Sequence, residues 1–181
     1  MPRDITIFGA QYLIYIDALL AAAVVLLALY RRPRTAALRW LVIIGMTVVI
    51  AFICAQIGAA VYNDPRPFTQ DHVKPLISHG ADNGFPSDHG LLAALIVAAV
   101  LLLDLRFVAV FVLLGVLVDW ARVGAGIHHV IDVVGSAAFV VLGLAIGYAL
   151  GPVIVRMLLP HVPQRLLGDE GDTADTSRSI G

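Results

Sequence analysis

The sequence predicts an all-α integral membrane bundle of about five transmembrane helices, six if an interfacial helix at the N-terminus is counted. Three observations carry this. Of 181 residues, 60% are hydrophobic and only 14% charged, with a mean hydropathy of +0.90, and a soluble domain of this size needs far more polar surface. The apolar residues form runs near the ~20 residues that cross ~30 Å of hydrocarbon. The polar residues gather in clusters at the ends of those runs. A net charge of −1 leaves no basic footprint for nucleic acid. Cys54, the only cysteine, sits in an apolar run; it excludes an intramolecular disulfide and reads as a small packing residue.

Residues 1–11 are mixed and read as an interfacial lead-in. The first span covers 12–30. Only Arg3 precedes it, Arg31, Arg32 and Arg34 follow it, and no small-x-small site appears, so it is expected to stay as a helix rather than be removed as a signal peptide. Asp17 lies about one turn inside and reads as an interfacial or helix-paired acid before a catalytic one. A basic loop around Pro33 leads to a second span at 40–62, whose Gly45 and Gly58 permit close helix contact. The polar stretch 63–88 is longer than an ordinary connection and is a candidate functional loop; His72, Lys74 and His79 within it remain unassigned. Spans three (89–103) and four (107–120) are short and joined by Asp104–Leu105–Arg106, which suggests a tight hairpin whose outer ends stop below the membrane surface and leave a recess. Span five covers 130–159 and carries Gly135, Gly143, Gly147 and Gly151 on one face, as a helix-packing stripe does. Residues 1–160 thus form one membrane-embedded domain, and 161–181 a polar tail expected to be disordered.

Five crossings place the termini on opposite sides, and the positive-inside rule selects the orientation. With the Arg31–Arg39 loop inside, Arg31, Arg32, Arg34, Arg39, Arg106, Arg156, Arg165 and Arg178 are cytoplasmic, against Arg3, Arg66, Lys74 and Arg122 outside. The polar clusters then face the extracytoplasmic side, and the tail is cytoplasmic.

Those clusters carry the chemistry. Pro86–Ser87–Asp88–His89 reads as a helix start: Pro fits the first turn, and Ser87 and Asp88 can accept free N–H groups. Such a start attracts anions. His128 and Asp132 are four residues apart on one helix face, and a carboxylate beside an imidazole fixes its tautomer and makes the other ring nitrogen a nucleophile or base. His129, three residues from Asp132, is the competing candidate. Arg66 and Arg122 supply planar forks for phosphate oxygens. Taken singly each could be structural, paired with Asp64, Asp71 or Asp119; with two histidines and an anion-receptive helix start they favour a bound anion. A metal site of His89, His128 and Asp132 is the other sharp reading, disfavoured by two arginines crowding the same pocket.

Arg66–Pro67, Pro86–Ser87–Asp88–His89, and Arg122 followed by His128 and Asp132 resemble, in order and spacing, the three signature motifs of the type 2 phosphatidic acid phosphatase family, which shares a superfamily with the vanadium haloperoxidases. Asp88, where the wider family usually has Gly, and the run His79–Gly80–Ala81–Asp82 before Phe85 look most like the bacitracin-resistance type of undecaprenyl pyrophosphate phosphatase. The resemblance implies an acid-phosphatase/haloperoxidase-like core and hydrolysis of undecaprenyl or another polyprenyl diphosphate. Under it His128 is the nucleophile that forms a phosphohistidine, Asp132 orients it, and His89 is the general acid and base. Arg66, Ser87, Asp88 and Arg122 bind substrate, with no metal and no cofactor, in a bacterial-type inner (plasma) membrane. Alternatives are another lipid phosphate as substrate (phosphatidylglycerol phosphate, phosphatidate or a polyprenyl sugar phosphate) or a binding protein without catalysis. Two positions depart from the broad pattern: Ala59 stands where a Lys is usual, with Lys74 as a candidate substitute, and Ala121 stands where a Ser is usual.

Overall fold

The computed structural model describes residues 2–161, so all but the first residue of the polar tail at 161–181 lies outside the described residues. Helices α1 (Arg3–Gln11), α2 (Leu13–Tyr30), α3 (Arg34–Val61), α4 (Pro67–Gln70), α5 (Asp88–Leu103), α6 (Val108–Gly124) and α7 (Val130–Leu158) follow one another with no strand among the described residues. Two 3-10 turns, Leu105–Phe107 and Leu159–His161, complete them. Four segments are long and apolar enough to cross a membrane, and α5 is a shorter apolar helix. At 16 residues, α5 rises about 24 Å, short of the hydrocarbon thickness, as the recess requires.

Helix ends follow local chemistry more closely than hydropathy. α3 starts at Arg34, directly after Pro33, rather than at residue 40, because a charged turn at the interface continues a helix as well as an apolar one. α6 runs past Trp120 to Gly124 and so carries Arg122 on its last turn. α5 begins where Ser87 accepts the Gly90 N–H, an N-cap as the sequence suggested.

Two layers bury the interior. Ile14 and Ala21 of α2 pack with Ala93, Ile96 and Val100 of α5 and Phe111 and Val118 of α6. α3 and α7 meet along the glycine stripe: a Cβ on Gly143 would lie 2.7 Å from the Thr47 carbonyl oxygen, and one on Gly147 would lie 3.0 Å from that of Ile43. Large apolar side chains such as Leu19, Leu26, Phe52 and Val141 stay exposed around the outside, where lipid is the solvent.

Two expectations change. Asp17 is not paired: it is fully buried between the Ile14 and Ala21 turns, and neither carboxylate oxygen has a hydrogen-bond partner among the described residues. The lead-in at 1–11 is a docked helix. Ala10 is fully buried, and Gly9 lies so close to α6 that a Cβ there would stand 2.8 Å from that of Ala121.

Candidate active site

The 63–88 loop is pinned before any catalytic group is placed. Asn83 is the hub: its Oδ1 accepts the backbone N–H groups of Asp64 (2.9 Å) and Phe85 (3.0 Å), and its Nδ2 donates to the carbonyls of Ala59 (3.1 Å) and Tyr62 (3.0 Å) at the end of α3. The start of α5 is tied to α7, where Ser136 Oγ stands 2.8 Å from the Ser87 carbonyl and 2.9 Å from that of Asp132. Leu76 and Ile77 close the loop against Ala10, Ala121 and Ile127.

On this frame the charged residues converge at one end of the bundle. Arg66 Nη1 and Arg122 Nη2 each stand 3.3 Å from His128 Nε2, while His128 Nδ1 is 3.1 Å from Asp132 Oδ2. A guanidinium can only donate, so Nε2 must accept, Nδ1 carries the proton, and it donates to the carboxylate. The tautomer is therefore set by the neighbours. Burial, and then the charges of Arg122 and Arg66, hold the His128 pKa below the ordinary imidazole value even though Asp132 pulls upward. Its Nε2 lone pair is available at neutral pH, with two cations beside it.

His129 is placed differently. Its Nδ1 faces Asp64 Oδ2 at 2.9 Å and its Nε2 faces Asp71 Oδ2 at 3.1 Å. Burial works against charge on this ring, but the hydrogen bonds to Asp71 and Asp64 outweigh it and hold its pKa above the ordinary value. An imidazolium donating from both nitrogens has no lone pair, and His129 straps the loop to the start of α7.

Each arginine is held in place. Arg66 Nε donates to Asp82 Oδ1 at 2.7 Å and Nη1 to the Ile127 carbonyl at 2.9 Å; the contact with Arg66 holds the Asp82 pKa below the carboxylate range. Arg122 Nη1 donates to the Ala10 carbonyl of α1 at 3.2 Å, and Nη2 lies 3.3 Å from His79 Nε2. Neither pairs as the structural reading of the sequence had it, with Asp64, Asp71 or Asp119.

A cavity of about 170 Å³ opens on this cluster, lined by Arg66, Arg122, His128, His79 and Asp88, among others. Ala59 is in its wall, whereas Lys74 is exposed and does not line it, so Lys74 replaces no cation there. Asp88 is exposed at the rim, Ser87 is fully buried under its capping bond, and His89 is half-buried on the first turn of α5 with Arg122 and His128 as electrostatic neighbours. The structure thus brings together Arg66, Arg122, His128, Asp132 and, at its margin, His89 and Asp88. Sequence reasoning missed Asn83 and the Ala10 carbonyl, which act through main-chain or loop geometry that leaves no pattern in the chain, and it noted His79 and Asp82 in one run without giving either a role.

Among the described residues, the group that could hold a metal ion is Asp64, His129 and Asp132, not the His89, His128 and Asp132 set. In it His129 directs its nitrogens to Asp64 and Asp71, and Asp132 Oδ2 accepts from His128 and from the His129 N–H, while Asp132 Oδ1 is buried without a hydrogen-bond partner among the described residues. A larger hollow of about 610 Å³ lies at the other end, beside Arg31, Arg32, Asp104 and Arg106. There Arg32 caps the Ala28 and Leu103 carbonyls and Arg106 pairs with Asp104, while Arg31 is exposed.

Comparison with known proteins follows the same lines. Residues 40–161 match the family model described as the PAP2 superfamily. The chain is 32% identical over 145 residues to the undecaprenyl-diphosphatase BcrC of Bacillus subtilis, covering 80% of this chain and 71% of that protein. It is 28% identical to the bacitracin transport permease protein BcrC of Bacillus licheniformis, over 99% of this chain and 89% of that one. It is 28% identical to the putative undecaprenyl-diphosphatase YbjG of Escherichia coli, over 74% and 65%. No solved structure matches the chain significantly.

Proposed function

The chain belongs to the PAP2 superfamily, and from its membership and its site we propose that this multi-pass membrane hydrolase is a lipid diphosphate phosphatase that converts undecaprenyl or another polyprenyl diphosphate to the monophosphate and inorganic phosphate. The observation that carries the reading is the double approach to one nitrogen: Arg66 and Arg122 at 3.3 Å from His128 Nε2, with Asp132 on Nδ1. Two guanidiniums at the lone pair of a nucleophile fit a group that arrives with its own negative charge. The two BcrC proteins and YbjG, with names tied to undecaprenyl diphosphate or bacitracin, support the substrate class.

In this reading Nε2 attacks the terminal phosphorus, the bond from phosphorus to the bridging oxygen breaks, and the lipid monophosphate leaves. The developing charge on the equatorial oxygens falls to Arg66 and Arg122, and such electrostatic holding supplies most of the acceleration in phosphoryl transfer. Asp132 stabilises the phosphorylated ring. His89, on the first turn of α5, protonates the leaving oxygen and then takes a proton from the water that releases phosphate and restores His128. Asp88 is the counter-charge to Arg122 in the empty site, and Ser87 acts by fixing the helix start. The reaction so written needs no metal. The site faces the extracytoplasmic side of a plasma membrane, the lipid tail remaining among the helices.

Purified protein in detergent with excess EDTA is expected to release phosphate from undecaprenyl diphosphate, and His128→Ala to lose that activity by at least about a thousandfold while melting like the wild type. Near-normal turnover by His128→Ala refutes the nucleophile, and restoration by added divalent ion after EDTA refutes metal independence. Faster release from phosphatidylglycerol phosphate or phosphatidate keeps the chemistry and reassigns the lipid.

A further inference from the structure

Resting on the diphosphate reading, one cavity group has no part in it. Arg66 and Arg122 both converge on His128 Nε2, which commits them to the phosphoryl group being transferred. A diphosphate brings a second phosphate, which stays on the leaving group and gains charge as the bridging bond breaks. Among the described residues no other Lys or Arg lines the cavity, and the amide of Gln56, also in its wall, carries no charge. Asp82 and Asp88 are anions, and the Asn83 amide is already donated to the Ala59 and Tyr62 carbonyls.

His79 is what remains. Its ring stands edge-to-face with that of His128, centroids 6.2 Å apart, across the approach to Nε2. Its Nε2 is 3.3 Å from Arg122 Nη2 and its Nδ1 is 3.4 Å from the Gly80 carbonyl. By the donor argument used for His128, Nε2 accepts from Arg122 and Nδ1 carries the proton in the empty site. We propose that His79 is the residue that reads the second phosphate: once substrate draws Arg122 onto the transferred group, His79 Nε2 takes a proton from solvent and donates it in a charged hydrogen bond to a non-bridging oxygen of the leaving phosphate.

The groups around it fit this exchange. Arg122 faces His79 from α6, Arg66 from the loop, His128 from the start of α7, and Asp82 from its own segment. Burial, and then the charge of Arg66, hold the empty-site imidazole below its ordinary pKa, a bias that a phosphate bound between them reverses. His79 is only half-buried, so solvent can supply the proton. The ring is then a cation only while a second phosphate is present, which separates diphosphates from monophosphates.

The test compares wild type with His79→Asn, His79→Gln and His79→Arg, each checked for a wild-type melting temperature. Three quantities are read: kcat/KM on undecaprenyl diphosphate, and inhibition of that reaction by methylenediphosphonate and by orthophosphate. Loss of a charge-assisted hydrogen bond predicts that the Asn and Gln variants lose about 10- to 100-fold in kcat/KM and in diphosphonate affinity. Orthophosphate inhibition stays within about twofold, and the Arg variant recovers diphosphonate affinity. An equal loss on orthophosphate overturns the proposal, since His79 then acts only by orienting Arg122; so does no loss on either. Wild-type protein that releases phosphate from no lipid diphosphate overturns the reading of the site itself, and this proposal with it.

Discussion

His128, the proposed nucleophile, is wedged between two cations and a buried carboxylate, and its titration should report all three. Because burial and the arginines hold its pKa below the ordinary imidazole value, the reactive free base persists until pH falls through that lowered value. The acidic limb of kcat/KM is therefore expected below the ordinary ~6.5, with a plateau through neutrality. Lipid phosphate titrates in the same region, so the discriminating measurement is the same profile in Asp132→Asn. Removing the one neighbour that raises the His128 pKa moves the limb to still lower pH; a limb that stays put belongs to the substrate. Residue identities at this scale were legible in the chain. The His128 and Asp132 pair is flagged by its spacing, although His128 stands before the N-cap His129 and not on a helix face shared with Asp132, and Arg66 and Arg122 stand out as cations beside apolar spans. The choice of His128 over His129, both near Asp132, rests on the spacing from Arg122 and on the family resemblance, and the positions of Asp64 and Asp71, which engage both His129 nitrogens, support it.

Among the elements, the seam between α3 and α7 determines whether the site can form, because α3 ends at the Asn83 hub and α7 begins beside the nucleophile. A Cβ on Gly143 would meet main-chain atoms of Thr47 and Ala51, 2.7 Å and 3.1 Å away, which cannot swing aside as a side chain can. Gly143→Ala is expected to cost about 1–3 kcal/mol through forced separation of the helices and to lower the melting temperature in detergent. Gly45→Ala, with nothing within 4 Å, should be neutral or slightly stabilising; equal shifts for the two would contradict the seam. Spacing alone announced this stripe. It could not announce how α1 docks, because nine mixed residues that read at most as an interfacial helix owe their place to the smallness of Gly9 and Ala10 against Ala121. The overrun of α6 to Gly124 was hidden for a related reason: hydropathy stops at Trp120, while the helix goes on to deliver a buried arginine.

For the whole molecule, all the groups near His128 lie at one end of the bundle and the Arg31, Arg32 and Arg106 cluster at the other. By the positive-inside rule, the excess of arginine at that second end is the basis for proposing that it faces the cytoplasm. In a background with Cys54 replaced by Ala, a cysteine at Lys74 should react with a membrane-impermeant maleimide in intact cells, and one at Thr35 only after permeabilisation. The reverse pattern would turn the protein over and leave the site facing the wrong pool of lipid.

Arg122 donates to the carbonyl of Ala10, 112 residues back along the chain. α1 can therefore make this contact only after α6 has been synthesised. A chain arrested before its final third has been made carries neither His128 nor a docked α1, so an unfinished copy in the membrane cannot begin to hydrolyse the lipid around it. Competence arrives all at once, with the last helix.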